Sequence, residues 1–304
     1  LFYDLNQNFF SNKISLINSI VFSILPLNIY VSGQISSISL QVFFSILFLK
    51  FFFLAMKKQT LKNILVFSVV SGLLILTRGE FILIFFLILF FSIWKKKIRL
   101  INLTKIVIVV LLVISPYVVR NYIHFNQVVI VKSLGFNLWK GNNQTSYVGG
   151  TYFHVPSTLE ELYLPENLKE PEFKDMIDKL RLLKIDKFYE INRDKIFLDE
   201  AKNNLLNDSY RYINLFFKKL FSYYFVDIKS NYPNYYNFFH FFPILILSLL
   251  SFPGFIIAIK KNNFELNSLL FYLSTNLLIF SIFFILPRYK LIILPVQIIL
   301  ACYF

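Results

Sequence analysis

The chain has 304 residues, of which 57% are hydrophobic, 19% aromatic and only 16% charged, with a formal net charge of +14 at pH 7. Soluble domains carry about a quarter charged residues, so this much Phe, Leu and Ile in long runs excludes an ordinary water-soluble core and makes lipid the expected solvent. The positive charge does not point to nucleic acid, because many Lys and Arg residues sit in short clusters between apolar runs, as the positive-inside rule expects.

The chain opens on Leu1 and closes on Phe304 inside an apolar run, with no basic segment and small-residue cleavage site before the first run. It reads as a fragment open at both ends, without a signal peptide. Apolar runs of near-spanning length follow at 15–32, 35–56, 61–77, 81–94 and 106–119, then at 238–259 and 266–286, and a last one begins at Leu291. A span needs about 20 apolar residues. The pattern predicts seven or eight spans, with the run 81–94 short enough to need little tilt or help from flanking residues. The single cysteine, Cys302, lies in an apolar run and excludes an intrachain disulfide framework and a Cys-based zinc site.

Orientation follows from the basic loops. Lys57, Lys58 and Lys62, then Lys95, Lys96, Lys97 and Arg99, then Lys260 and Lys261 all fall on one face when spans are counted, and Lys13 joins them. That face is expected to be cytoplasmic. The outer face then carries residues 32–34, 78–80, 120–237 and 288–290. The expected organisation is a polytopic helix bundle at 1–119, a mostly helical extracytoplasmic or interfacial insert at 120–237 and further spans at 238–304.

Within the insert, residues 128–131 (Val-Val-Ile-Val) predict a short strand or extended piece, and Pro156, Pro165 and Pro171 precede its helices. Phe173, Met176, Ile177, Leu180 and Leu183 repeat at helical spacing, and Phe188, Ile191, Leu198, Ala201 and Leu205 do so more loosely. A third helix has Ser209 as its expected N-cap and one apolar stripe of Ile213, Phe216, Phe217, Leu220, Phe221 and Tyr224, flanked by Lys218 and Lys219. Such a helix either lies in the membrane interface with its lysines at phosphates, or packs on the insert's own core.

Charged groups near membrane depth are costly. Arg78 and Glu80 share the tightest turn between two spans, Arg288, Tyr289 and Lys290 follow Pro287 at the same height, and Arg120 opens the insert. Either these cations anchor helices to anionic lipid, or they converge on an anionic ligand, for which a guanidinium gripping a lipid phosphate is the simplest chemistry. The stretch 135–143 places Asn137, Asn142 and Asn143 around Trp139, a composition suited to sugar hydroxyls and a sugar ring face, and equally common in turns. Asn143-Gln144-Thr145 and Asn207-Asp208-Ser209 match the glycosylation acceptor pattern, which has meaning only if the outer face is a secretory lumen. His124, His154 and His240 lack ligand spacing, so no cofactor is evident and a divalent metal has no ligand set.

These motifs resemble a known family. Arg120-Asn121-Tyr122 leaving a span, an extended piece, then Asn137-Leu138-Trp139-Lys140-Gly141-Asn142-Asn143 are similar to an R-N-Y and N-L-W-x-G-N-N pattern. It belongs to multi-span glycosyltransferases of the GT-C class, namely bacterial members related to protein O-mannosyltransferases and aminoarabinose transferases. Leu76-Thr77-Arg78-Gly79-Glu80 resembles that family's L-T-R-P-E, with Gly79 in place of Pro, and the segment from Pro287 to Pro295 resembles its R-Y-R-x-x-x-x-P element. The helix from Asp199 to Phe221 is similar to the family's interfacial helix.

The resemblance implies transfer of a sugar, with inversion, from a polyprenyl-phosphate carrier to a lipid, glycan or protein acceptor at the outer face of a bacterial cytoplasmic membrane. By it, Arg78, Arg288, Tyr289 and Lys290 would hold the donor phosphate, Arg120, Asn137, Trp139, Asn142 and Asn143 would form a substrate loop, and Glu80 would be an accessory carboxylate. Two departures stand out. The outer loop carrying the family's catalytic Asp would lie upstream of Leu1, Asp4 being on the cytoplasmic side, and Ile38 stands where members often have Glu after Ser32-Gly33. The fragment alone is therefore expected to be inactive. The alternatives are a flippase or polymerase-type transporter of lipid-linked sugars, and a non-catalytic membrane scaffold.

Overall fold

The computed structural model describes residues 1–151, 171–227 and 237–304, and His154, Pro156 and Pro165 lie outside them. Among the described residues the chain is mainly helical, with no strand. They form two compact units, Leu1–Tyr117 with Tyr223–Ile279 and Leu286–Phe304, and Val118–Ser222 with Phe280–Ile285. The end of the insert's last helix thus belongs with the first unit, and residues 280–285 with the second.

In the first unit a short α1 (Phe2–Asn6) leads to α2 (Asn12–Ile24) and α3 (Pro26–Ser32), which meet at a 59° bend. The run 15–32 is thus a broken helix. Pro26 has no N–H to continue α2 and pushes Leu25 out of the helical region. The Phe22 carbonyl near the break is met by Asn28 Nδ2 at 3.0 Å. Next come α4 (Ser37–Lys57), α5 (Leu61–Thr77), α6 (Phe81–Trp94) and α7 (Leu100–Phe125). Side chains start two of them, Ser36 Oγ accepting from Ile38 N and Thr60 Oγ1 from Asn63 N, each at 3.3 Å. The later helices are α12 (Phe238–Lys261), α13 (Phe264–Ile282) and α14 (Lys290–Ala301), the insert's helices taking α8 to α11. A Cβ on Gly254 of α12 would fall 1.9 Å from the Leu300 carbonyl oxygen, so the absence of a side chain there permits the close α12–α14 approach.

Among the described residues four helices, α4, α7, α12 and α13, are long and apolar enough to cross a membrane, and the bent α2–α3 pair makes a fifth if it is one span, whereas α5 and α6 are apolar but shorter. Ile108, Leu111 and Leu112 on α7 and Leu249, Phe252 and Ile259 on α12 point outward and exposed, a pattern that water does not tolerate and lipid does. Several helices could therefore span a membrane, as in a multi-pass membrane protein, and among the described residues they number fewer than the seven or eight spans expected from run length alone. Asp4 is paired with Lys50 of α4 at 2.5 Å, which neutralises the lysine inside an apolar helix.

In the second unit α8 (Leu134–Gly141), a 3-10 turn at Pro171–Phe173, α9 (Lys174–Arg181) and α10 (Tyr189–Asn207) supply a core of Trp139, Phe173, Met176, Ile177, Leu180, Phe197 and Ala201, and most of α11 (Ser209–Tyr224) belongs to the same unit. Residues 128–131 are irregular and form no strand; Asn121 Nδ2 holds the Val129 carbonyl at 2.9 Å. The buried stripe of α10 is Ile191, Asp194, Phe197, Ala201 and Asn204, not the expected set with Leu198 and Leu205. Apolar periodicity passed over Asp194 and Asn204 because they are polar. Both are buried with partners, Asp194 Oδ1 accepting from Phe136 N at 2.9 Å and Asn204 Nδ2 donating to the Asn142 carbonyl at 3.4 Å.

Candidate functional site

In the first unit, α5 ends at Thr77 and Arg78 takes an extended conformation, while the Arg78 carbonyl accepts from Phe81 N at 3.1 Å to close the turn into α6. This aims the Arg78 guanidinium at Tyr289, 4.9 Å from its ring centroid, with Nε 3.7 Å from Glu80 Oε2. The Nε is buried and makes no hydrogen bond among the described residues, so the carboxylate neutralises Arg78 loosely. Tyr289 itself is buried in a 3-10 turn, Pro287–Tyr289, and its carbonyl accepts from the Tyr223 hydroxyl at 3.3 Å. Arg288 brings a second guanidinium within 5.9 Å of the same ring. Two motifs some two hundred residues apart in sequence therefore meet, with two guanidiniums around one aromatic ring and one carboxylate beside the first of them.

Lys290, expected to join that phosphate site, does not. It is buried and donates to the Tyr223 carbonyl at 2.7 Å and to the carbonyls of Tyr224 and Phe225. Its ammonium satisfies the last carbonyls of α11, which have no intrahelical donor.

The second unit overturns the substrate-loop expectation. Residues 134–141 are a helix, not a loop. Trp139 is 0% exposed, its ring packed against Phe173 at 5.5 Å and Phe197 at 5.1 Å, so neither face is open to a sugar. Asn142 donates to the Leu138 and Ile282 carbonyls, both at 2.8 Å, and accepts from Lys219 Nζ at 3.1 Å. Asn143 donates to the Trp139 carbonyl at 3.1 Å and accepts from Thr145 N at 2.9 Å, and being 0% exposed it is no glycan acceptor in the folded chain. Asn137 is half-buried and donates to Ser133 Oγ at 3.3 Å. Arg120 is exposed and bonds Asn121 Oδ1 at 3.0 Å, but it lies inside α7, which runs on to Phe125. The polar groups of Asn142 and Asn143 are spent on holding α8 together.

Lys219 is the residue that sequence reasoning misplaced most. It is fully buried and donates to the Gly141 carbonyl at 2.8 Å as well as to Asn142. Burial alone pulls its pKa down from 10.5 to about 7. The true buried face of α11 is Tyr212, Leu215, Lys219 and Ser222, whereas Ile213, Phe217 and Phe221, three of the six expected stripe residues, face outward. The helix is started by Asp208, whose Oδ1 accepts from Arg211 N at 3.2 Å, while Ser209 Oγ instead turns back to the Leu205 carbonyl at 2.8 Å. Leu138, Leu205, Tyr212, Ile213, Phe216 and Phe217 line most of an apolar groove of about 550 Å³.

The His240 ring lies tilted against Tyr30, with centroids 5.1 Å apart, and His124 lies beside Phe125. Among the described residues no three metal-ligating side chains cluster. No protein-family model, no curated protein and no solved structure matches the chain.

Proposed function

We propose that the chain is part of a GT-C class glycosyltransferase in a bacterial cytoplasmic membrane, moving a sugar from a polyprenyl-phosphate donor to an acceptor on the outer side. The observation that carries this reading is the meeting of Arg78 and Arg288 around Tyr289, with the Glu80 carboxylate beside Arg78. Two guanidiniums gathered on one ring at the ends of apolar helices are the kind of group that stabilises a phosphate leaving group as its bond to the sugar breaks. Arg78 and Arg288 would bind the phosphate, Tyr289 would hold both guanidiniums in place, and Glu80 would orient Arg78. No catalytic base is assigned.

The transporter reading has one feature in its favour, the broken α2–α3 helix, since transporters place substrates at such breaks. Here Asn28 meets the Phe22 carbonyl near the break and Leu25 is buried, so the chain itself supplies part of the polarity at the break. Transfer therefore fits better.

The test is binding of a long-chain polyprenyl phosphate to the purified full-length protein, read by intrinsic fluorescence, against the neutral polyprenol as control. Arg78→Ala is expected to weaken phosphate binding by about 10- to 100-fold, the worth of one charge-assisted contact, and to leave polyprenol binding unchanged. Equal binding of phosphate and alcohol, or an unaffected Arg78→Ala variant, removes the site.

A further inference from the structure

The apolar helices α4 and α13 carry a second polar cluster that the phosphate site does not use. Residues 41, 45, 48 and 52 share one face of α4 by their spacing of four, three and four. That face looks at α13, because Phe48 meets Tyr272 at 6.3 Å and Phe52 meets Phe264 at 6.1 Å. Toward the Ser37 end of α4, Phe gives way to Ser45 and then Gln41, and along α13 Tyr272 is followed one turn on by Asn276. The Tyr272 hydroxyl faces Ser45 and Asn276.

All four residues are buried, none more than 2% exposed. Yet beyond the loose approach of the Tyr272 hydroxyl to Ser45 and Asn276, the Gln41 amide nitrogen and oxygen, the Ser45 and Tyr272 hydroxyls and the Asn276 amide oxygen have no partner within hydrogen-bond distance among the described residues. Asn276 spends only its nitrogen, on the Tyr272 carbonyl at 2.8 Å. Buried polar groups almost always find partners, and inside an apolar helix pair the protein must supply them or hold something that does. The orphan atoms include donors and acceptors with no formal charge, so the missing partner is neutral and both donates and accepts. A hydroxyl group has that character.

We propose that Gln41, Ser45, Tyr272 and Asn276 form an internal site for neutral hydroxyl oxygens, supplied by ordered water or by the hydroxyls of a sugar. Ordered water needs two to four polar partners in one place, which this cluster provides. The site also neighbours the cationic one. Tyr223 lies within electrostatic reach of Tyr272 as well as of Arg78 and Tyr289, so it links the two sets of polar groups. The inference stands on the orphaned atoms and does not depend on the transfer chemistry.

The test replaces Cys302 by Ser and introduces Ser45→Cys in the full-length protein in nanodiscs. Silver ion, which travels only where water does, is added before unfolding and alkylation with N-ethylmaleimide. Blocked alkylation at position 45, with free alkylation at a Ser71→Cys control whose native hydroxyl is spent on the Phe67 carbonyl, supports the site. Free alkylation at both positions overturns it. Octyl glucoside added first then separates the sources: protection of position 45 assigns the site to sugar hydroxyls, and no protection assigns it to water. Gln41→Leu gives a second reading by melting temperature. A fall of about 2–4 °C, the size of one lost interaction in a chain of this class, is expected where the amide is bonded. A rise overturns the proposal, because removing an unbonded buried amide relieves its desolvation.

Discussion

The turn at Arg78 and the helix around Trp139 look alike in sequence, each a short polar stretch at the edge of an apolar run, yet their side chains have opposite fates. Around Arg78 the polar groups are incompletely used: the guanidinium stands 3.7 Å from its carboxylate and shares Tyr289 with a second cation. Around Trp139 they are used up, with Asn142 engaged by Leu138, Ile282, Lys219 and Asn204. In a membrane protein, polarity in the sequence marks a place where hydrogen bonds are needed. Whether the need is the protein's own or a ligand's is decided by what remains unspent after folding.

The sharpest way to break this contrast is Trp139→Ala. Removing a fully buried indole from the core of Phe173, Met176, Ile177 and Phe197 is expected to cost about 3–5 kcal/mol. It would be read as a lowered melting temperature and rapid proteolysis within residues 118–222. A sugar-contact role would leave stability intact and weaken substrate binding alone; that outcome would return Trp139 to the site.

Arg288 and Lys290 sharpen the same contrast within one motif. Lys290→Met removes one donor from each of the carbonyls of Tyr223, Tyr224 and Phe225, of which Tyr224 keeps Gln297 Nε2 at 2.9 Å, and a buried acceptor that loses its donor costs about 1–3 kcal/mol. Arg288→Met is expected to lower the melting temperature less and polyprenyl-phosphate binding more. Equal losses of stability in the two variants would make both residues staples.

Lys219 adds a pH dependence. With its folded pKa near 7 and an ordinary lysine value of 10.5, the side chain is protonated in both states below pH 7, and the cost of burying the charge is felt in full. Between about 7 and 10.5 the unfolded chain holds a proton that the folded one has released, so this lysine makes stability rise with pH across that window. The slope is at most about 1.4 kcal/mol per pH unit. The neutral amine has two N–H donors, matching its two acceptors, Gly141 O and Asn142 Oδ1. Melting temperatures from pH 6 to 9.5 should climb in the native chain and flatten in Lys219→Met; a parallel climb in the variant would place the titrating group elsewhere.

The fold was largely legible from apolar runs and helical spacing because burial and lipid exposure both follow hydrophobicity. The helix with Met176, Ile177 and Leu180 shows this, since each of those residues is in the core. Legibility failed where a polar residue is buried by virtue of a distant partner, as for Asp194, Asn204 and Lys219, whose partners lie some 60 to 80 residues away. It failed at Pro26 by degree, since a proline in an apolar run signals a break without saying how sharp. The convergence of Arg78 with Arg288 was legible only as shared height along the helices; the ring of Tyr289 that gathers them required the structure.

The smallest expected effect tests the finest distinction, between two adjacent lysines. Lys218 is exposed and Lys219 is not, because a step of one residue on a helix is a rotation of about 100°. Tyr212, Leu215, Lys219 and Ser222 follow steps of three, four and three on the buried face, and Lys218 falls beside Phe217 and Phe221 on the outer one. Lys218→Ala should therefore shift stability by less than about 0.5 kcal/mol, as surface substitutions do, and leave the pH slope of the native chain unaltered. A loss comparable to that of Lys219→Met would mean that α11 is rotated from its assigned register. The bonds that tie Lys219 to Gly141 and Asn142 would then have to be reassigned with it, and with them the account of why the asparagines of α8 are already spent.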